Sequence, residues 1–389
     1  MSRHSVDINP DILKWARESA HLEVHEIPKS VISKEKLVKF ENKEALPTLS
    51  ELQKLAKKYN RPLGILLGNT IPEIDYLEIP FFRKENKTDY DSALTMFIRD
   101  ILEKQDWARN YLVSEGYEPL GFVGSIKIQD APIKAVQILN QKLNLPLFTK
   151  FKKNEDYFKA LKQSLEDHNI FVSITGSNQS NKSISVEQAQ GFAITDEYAP
   201  FIFVNTKNTT NAKIFTLVHE VVHLFLNESG ISEDCLRFRK PECKEDEIEN
   251  FCNTIAGELL MPTEILNLKF EEINGELKYR ISKLSKFFLV SELAICVKLW
   301  KQKLISYNEY QSAYRIIEEE INKYLIAKAK KQKEASGGGD YYNNMRSKNG
   351  VLLSSLAFSA YKSGHILNRD LSQILKIKTN NFERYFSTV

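Results

Sequence analysis

The sequence has no run of about 20 apolar residues, the length that a helix needs to cross a bilayer, so we expect no membrane span. Its N-terminus has no apolar signal core, and we therefore expect a cytoplasmic protein. It has only four cysteines, whose spacing fits no zinc pattern, and in a reducing compartment they should be free thiols. The net charge of +3 is too small to indicate nucleic-acid binding by itself.

What the sequence does have is enough length and apolar content for more than one folded unit. Its 389 residues are 42% hydrophobic and 27% charged, which is an ordinary composition for a soluble protein. A chain of this size can bury the cores of two or three domains.

The most informative stretch is an apolar helical pattern at residues 215–226 that contains His219-Glu220-x-x-His223. Residues four apart lie on one face of a helix, so both imidazoles can reach one metal ion. Glu220 lies about 100° further round the helix, where it can reach a nearby water instead. Zinc favours such ligands, and a catalytic zinc keeps one position open. The alternative is a pair of hydrogen-bonded core histidines without a metal.

A third ligand has to come from elsewhere in the chain, and a helical pattern over residues 245–262 is the best source. Its first turn is acidic, which the helix dipole favours. Residue type alone leaves several candidate carboxylates: Glu242, Glu245, Asp246, Glu247, Glu249 and Glu258. The apolar periodicity favours Glu249, which lies beside the core-facing stripe, and Asn253 one turn further on could orient it. The small Gly257 would let another helix approach closely.

Three short apolar runs before the histidine motif predict strands, at residues 170–174, 191–194 and 201–205. A turn around Asp196 should join the last two strands. An exposed sheet edge can bind an extended peptide through main-chain hydrogen bonds, which would align an amide beside the metal. After the histidine motif, residues 227–244 are polar and charged and predict a loop.

The motif and its surroundings resemble the ImmA/IrrE family of zinc metallopeptidases. Phe215-Thr216-Leu217 precedes the histidine motif, which is followed by Glu249-x-x-Cys252-Asn253-x-Ile255-Ala256-Gly257-x-Leu259-Leu260-Met261-Pro262. The chain departs from the family pattern only at packing positions, Cys252, Ile255 and Gly257. The resemblance implies that His219, His223 and Glu249 bind one zinc ion per chain. Glu220 would then be the general base.

The N-terminal region resembles the helix-turn-helix domain of Cro/repressor-like (XRE-type) proteins. A helix should start after Asn9, and Thr48 with Glu51 predicts the N-cap of another. Pro28 falls where the first helix of the motif should be, and the usual turn glycine is absent. A docking or dimerisation domain that has lost base readout is therefore the alternative. In either case, possible contacts to DNA or to a partner are Lys34, Lys36, Lys39 and Lys43.

The rest of the sequence is mostly helical. Residues 281–302 contain two helical stretches, which we interpret as a cap on the peptidase core rather than a DNA contact. Residues 310–333 predict a long helix that ends in lysines, as the helix dipole favours. A glycine run at 337–339 precedes two further helical patterns, at 350–360 and 368–377, for which the sequence indicates no role.

These observations predict an α+β fold with a zincin-like metallopeptidase core, in which a small sheet accompanies metal-binding helices. The predicted divisions are a helix-turn-helix-like domain at 1–70, a connector and scaffold helix at 71–118, the zinc metallopeptidase at 119–305, a long helix at 306–335 and a small helical tail at 336–389.

The resemblance implies an endopeptidase that cleaves a specific regulatory protein of the repressor type. The expected setting is stress response, mobile-element control or a toxin–antitoxin system. Glu220 would assist the attack of water on the peptide. The alternative is an antitoxin-like regulator that binds DNA or a cognate toxin and in which proteolysis is secondary or absent. The sequence predicts neither the oligomeric state nor the identity of the substrate.

Overall fold

The computed structural model describes residues 5–71, 92–178, 182–232, 243–334 and 340–387. The chain divides into two compact units. The first contains the described parts of residues 1–78, 85–104 and 177–184, and the second contains the rest. Many helices accompany one small sheet, which confirms the predicted α+β class. No helix within the described ranges is long and apolar enough to cross a membrane.

Four helices provide most of the core of the first unit. At the start of the first helix, whose first residue is Pro10, the Asn9 side chain accepts a hydrogen bond from the Asp11 backbone. Thr48 and Glu51 form the predicted capping box of the third helix. The four helices are α1 (Pro10–Glu18), α2 (Lys34–Glu41), α3 (Leu49–Tyr59) and α4 (Leu63–Leu66).

A buried ion pair joins α1 to α2. The Arg17 guanidinium donates to both carboxylate oxygens of Glu41, at 2.7 and 2.9 Å, and to the carbonyl oxygen of Leu22 at 2.9 Å. Between these two helices the chain forms a three-residue 3₁₀ helix, Val24–Glu26, which ends before Pro28. Residues 19–33, which the structure describes in full, contain no α-helix, in agreement with the position of Pro28.

The second unit contains a four-stranded sheet made of β1 (Phe171–Thr175), β2 (Gly191–Ile194), β3 (Phe201–Asn205) and β4 (Gly230–Ser232). The order across the sheet is β1-β3-β2-β4. β1 and β3 are parallel, and β2 is antiparallel to both β3 and β4. The first three strands lie within one residue of their predicted positions. The prediction of a continuous loop over residues 227–244 was wrong at β4, because three residues are too few to show strand periodicity.

Helices surround this sheet and share its apolar core. Those before the C-terminal segment are α6 (Pro132–Leu143), α7 (Asn154–Asp167), α8 (Thr210–Leu226), α9 (Lys244–Leu260), α10 (Thr263–Glu272), α11 (Leu277–Phe288), α12 (Glu292–Lys301) and α13 (Tyr307–Glu334). The helix α5 (Ser92–Ser114) contributes residues to both units. α8 packs against α7, α9, β2 and β3. α11 and α12 are the two helical stretches predicted within residues 281–302, and Ser291 is the N-cap of α12.

A C-terminal group of helices packs against β1 through its first two members, α14 (Tyr341–Asn349) and α15 (Val351–Lys362). Ser347 Oγ donates to the main-chain carbonyl oxygen of Ile174 at 2.9 Å. Glu166 Oε1, on α7, accepts a hydrogen bond from the Val351 backbone at 2.7 Å. The sequence pattern does not predict that these helices pack against β1. The four helices are α14 (Tyr341–Asn349), α15 (Val351–Lys362), α16 (Asn368–Leu375) and α17 (Phe382–Phe386).

Of the four cysteines, Cys243, Cys252 and Cys296 lie within the described residues and are not in disulfide bonds. Several other features of the sequence lie outside the described residues: residues 72–91 of the predicted connector, Cys235, Glu242 and the glycine run at 337–339.

Candidate metal centre

The candidate site starts from α8, which is buried from Ile214 to Phe225. His219, Glu220 and His223 are each 0% exposed. The apolar residues between and around them place this stretch in the core, and the histidine motif is carried in with it. Buried polar groups are destabilising unless they have partners, so three of them together indicate either a hydrogen-bonded cluster or a bound ion.

Glu249 on α9 meets the two histidines of α8. Its Oε2 atom lies 3.2 Å from His219 Nε2, and its Oε1 atom lies 3.3 Å from His223 Nε2. The two Nε2 atoms are 3.1 Å apart. Within the described ranges, this is the only group of three or more His, Cys, Asp or Glu residues whose ligand atoms converge tightly enough to hold a metal ion.

Residues 165–299 match the family model of the IrrE N-terminal-like domain, Peptidase_M78. This IrrE-like segment contains the sheet, α8 and α9, and so all three converging side chains. The match supports the ImmA/IrrE family and a protease-type function for the segment. It does not include the helices of residues 5–71 or those of residues 340–387. No curated protein matches the chain.

The spacing of the donor residues in the IrrE-like segment is close to that of a tetrahedral zinc site, with each histidine facing a different oxygen of the Glu249 carboxylate. Ligand bonds of about 2.0–2.1 Å at tetrahedral angles place neighbouring donors about 3.3–3.4 Å apart. The spacings between the three donor residues are 3.1, 3.2 and 3.3 Å. Two imidazole nitrogens and a carboxylate are also a donor set that zinc accepts, and three protein ligands leave a fourth position open, as in catalytic zinc sites.

Burial and the charges of neighbouring groups shift the pKa values of these three residues in opposite directions. Burial lowers the pKa of His219, but the charge and hydrogen bond of Glu249 outweigh it, and the pKa is raised overall. At His223 burial prevails, and the pKa is lowered despite Glu249. Burial disfavours the charged form of Glu249, yet the charge and hydrogen bonds of the histidines hold its pKa well below the usual range. A carboxylate and a neutral imidazole are the forms that bind a metal.

Each histidine also interacts with a second group. The side chain of Asn253, one turn after Glu249, raises the pKa of His219, although His219 Nδ1 and Asn253 Oδ1 form no hydrogen bond with each other. The backbone of Glu228 does the same for His223. Partners of this kind hold a ligating imidazole in one orientation. The expectation from the sequence, that Asn253 orients Glu249, stays a prediction.

The carboxylate of Glu220 lies beside β2. Its Oε1 atom is only 2.7 Å from the position that a Cβ atom would occupy on Gly191. The sequence places Gly191 in a strand and Glu220 on a helix but carries no sign that the two residues touch. A glycine at the start of a strand before the motif is the one signal that could have drawn attention to it.

Among the residues that the structure describes, the other candidate carboxylates do not join His219, His223 and Glu249. Glu258 is near the opposite end of α9 and forms an ion pair with Lys298 at 2.7 Å. Glu245, Asp246 and Glu247 form the acidic first turn of the helix. At Gly257 the nearest atom to an added Cβ would be the terminal carbon of Met261, 4.0 Å away, while Lys298 of α12 donates to the Gly257 carbonyl oxygen at 3.0 Å.

The lysines expected to contact DNA or a partner are on or just after α2. Lys34, Lys39 and Lys43 are exposed. Lys36 instead forms an ion pair with Glu51 of α3. Three of the four cations are therefore exposed at the surface of the first unit, and the fourth, Lys36, is partly exposed and paired with Glu51.

Proposed function

We propose that this chain is a zinc-dependent endopeptidase of the ImmA/IrrE type that cleaves a specific, repressor-like regulatory protein. The observation that carries the proposal is the convergence of His219, His223 and Glu249 next to Glu220 within the IrrE-like segment. A structural zinc site would need a fourth protein ligand, and the group found among the described residues has three.

The proposed roles follow from position and chemistry. His219, His223 and Glu249 would hold the zinc ion. When bound, zinc would polarise the peptide carbonyl and make a water more acidic. Glu220 would accept the proton of the attacking water and then protonate the leaving amine. The position of this carboxylate beside β2 limits the directions in which it can point.

An extended segment of the substrate would add to the sheet at β4. This strand is at one end of the described sheet and follows α8 directly. Strand addition holds a peptide by its main chain, so it aligns a scissile amide whatever the neighbouring side chains are. The strand at the other end, β1, is covered by the C-terminal helices.

The test is the Glu220→Gln variant of the full-length, zinc-loaded protein. Glutamine keeps the size of the side chain but cannot act as the base, so zinc content should stay at one ion per chain while cleavage falls by about 100-fold or more. New protein N-termini, compared by mass spectrometry between cells that express wild type and cells that express the variant, would identify the substrate. Equal cleavage of that substrate by both proteins would contradict the mechanism.

A second candidate function is a regulator that binds DNA or a cognate toxin through the first unit. The observation that favours it is the exposed group Lys34, Lys39 and Lys43 around α2. A gel-shift assay over a range of salt concentrations, with DNA from upstream of the gene, tests the DNA form. Specific binding that weakens in the triple alanine variant would support it, and binding without sequence preference would remove it.

A further inference from the structure

Gly191 occupies a position in β2 that no larger residue fits. A Cβ atom there would lie 2.5 Å from Thr216 Cγ2, 2.7 Å from Glu220 Oε1 and 2.9 Å from the carbonyl oxygen of Phe203. Carbon atoms do not approach carbon or oxygen so closely without a bond, so an alanine would force at least one neighbour to move.

The backbone conformation at position 191 does not require a glycine. Gly191 is not among the glycines with positive φ. It lies within regular strand pairing, opposite Val204 of β3 and Ser232 of β4. Any amino acid can adopt such a conformation, and most of them favour strands more than glycine does. Glycine is therefore required at this position because there is no space for a side chain between β2 and α8.

The strand is fixed in place and cannot retreat from α8. Besides the pairing on both sides, the residues just before Gly191 are tied to β3. The Asn205 backbone donates to the carbonyl oxygen of Gln190 at 2.9 Å, and the Asn205 side chain donates to that of Ala189 at 3.0 Å. The Phe203 carbonyl belongs to the same ladder. Movement would have to occur on the side of α8.

On that side, the two neighbours are one helical turn apart. Thr216 and Glu220 both face β2 from the buried helix, and Thr216 is only 2% exposed. The Thr216 methyl group is attached next to the backbone and has little freedom. The Glu220 carboxylate, at the end of a longer side chain, can rotate away and is the group that would yield.

We propose that Gly191 is a positioning residue for Glu220. By lacking a side chain, it leaves the space in which the carboxylate rests, and it thereby fixes the direction of the group that accepts the proton. This inference rests on the proposed function, because only a metallopeptidase needs the Glu220 carboxylate held beside the metal ligands. A side chain at position 191 would redirect the carboxylate without touching any of the three ligands.

The first experiment uses the zinc-free chain and needs no substrate. The stabilities of wild type, Gly191→Ala, Glu220→Ala and the double variant are compared by urea unfolding. If Cβ at position 191 meets the Glu220 carboxylate, the alanine at 191 should destabilise the Glu220→Ala background less than the wild-type background. Equal losses in both backgrounds would show that Glu220 does not occupy the space and would overturn the proposal.

The second experiment uses the zinc-loaded chain and acetohydroxamate, a small zinc-binding acid whose hydroxyl proton a neighbouring carboxylate can accept. Gly191→Ala should keep one zinc per chain but bind acetohydroxamate about tenfold more weakly, because the hydrogen bond to Glu220 is displaced. Gly121→Ala is the control, since an added Cβ there meets no atom within 4 Å. It should bind as wild type does.

A further double variant distinguishes an effect on the direction of the Glu220 carboxylate from an effect on packing between β2 and α8. Thr216→Ser removes the methyl group nearest to the added Cβ, so Gly191→Ala combined with Thr216→Ser should recover stability and still bind acetohydroxamate weakly. Recovery of wild-type affinity in this double variant would overturn the positioning role. If wild type itself takes up no zinc, the proposed function fails instead, and the comparison in the zinc-free chain still decides whether Gly191 controls the Glu220 carboxylate.

Discussion

Lys298 Nζ lies 2.7 Å from Glu258 Oε2 and 3.0 Å from the carbonyl oxygen of Gly257, at the point where α9 ends. It also donates to the carbonyl oxygen of Met261. Glu258 in turn accepts hydrogen bonds from the backbone and the hydroxyl of Thr263, at 2.9 and 2.6 Å, where α10 begins. One buried cation thus holds together the turn that follows the Glu249 helix.

Replacing Lys298 by methionine should lower the free energy of unfolding by about 3 kcal/mol, because Glu258 and two carbonyl groups lose their shared donor in a mostly buried place. Urea unfolding measures the change. The control is Lys269→Met, whose ion pair with Glu272 is much more exposed and should contribute less than about 1 kcal/mol. Equal small losses in the two variants would show that the ion pair with Glu258 does not stabilise this turn.

Asn253→Ala should weaken zinc binding by about 10–100-fold, since the His219 ring loses the group that interacts with it. Competition with a chromophoric chelator at fixed pH measures the dissociation constant. Thr254→Ala is the matched control, because this residue is next in the helix, is exposed, and bonds only to the Asn250 carbonyl. If both variants bind zinc equally well, Asn253 does not orient the ligand.

Gly350→Ala should destabilise the docking of the C-terminal helices. Its φ of 77° and ψ of 161° lie in a region that other residues avoid, at roughly 1–3 kcal/mol. An added Cβ would also lie 2.7 Å from the Val172 carbonyl oxygen and 2.8 Å from Glu166 Oε1. Hydrogen exchange should become faster at the Val351 amide, which Glu166 holds.

The control for that variant is Gly364→Ala. Gly364 also has a positive φ, of 81°, but an added Cβ there would meet no atom within 4 Å. It should show the backbone strain without the collision, so exchange at Val351 should stay slow. Fast exchange at Val351 in both variants would mean that strain alone loosens the segment and that the fit against β1 is unimportant.

Gly257→Ala should raise the free energy of unfolding by about 0.5–1 kcal/mol, because glycine is a poor helix former and α9 has room for a methyl group at this position. Thermal unfolding of the zinc-free protein would show a higher midpoint. A lower midpoint would indicate that another helix does approach Gly257 closely, as its sequence context led us to expect.

The two helices that carry His219, His223 and Glu249 could be predicted because each has apolar residues at helical spacing over several turns. That same periodicity singled out Glu249 from six carboxylates, and the structure brings it to the two histidines. Thr48 and Glu51 could likewise be predicted as a capping box, since such signals are local.

The features that could not be predicted depend on residues far apart in the sequence. Lys298 meets Glu258 across 40 positions, and Ser347 meets Ile174 across 173. No local pattern encodes such pairs, because each residue alone has the ordinary appearance of a surface lysine or a helix serine. β4 could not be predicted for a different reason, because a strand of three residues is too short to show a periodic pattern.

The hydrogen bond from Ser347 to Ile174 has a practical consequence for anyone who wishes to shorten this protein. The Thr175 carbonyl faces β3, where it accepts from Thr206, so strand alternation turns the Ile174 carbonyl to the outer edge of the sheet. A fragment trimmed to the family match, ending at residue 299, would leave that edge bare and prone to pair with other chains. The helices of residues 340–387 should therefore be retained in any shortened version of the protein.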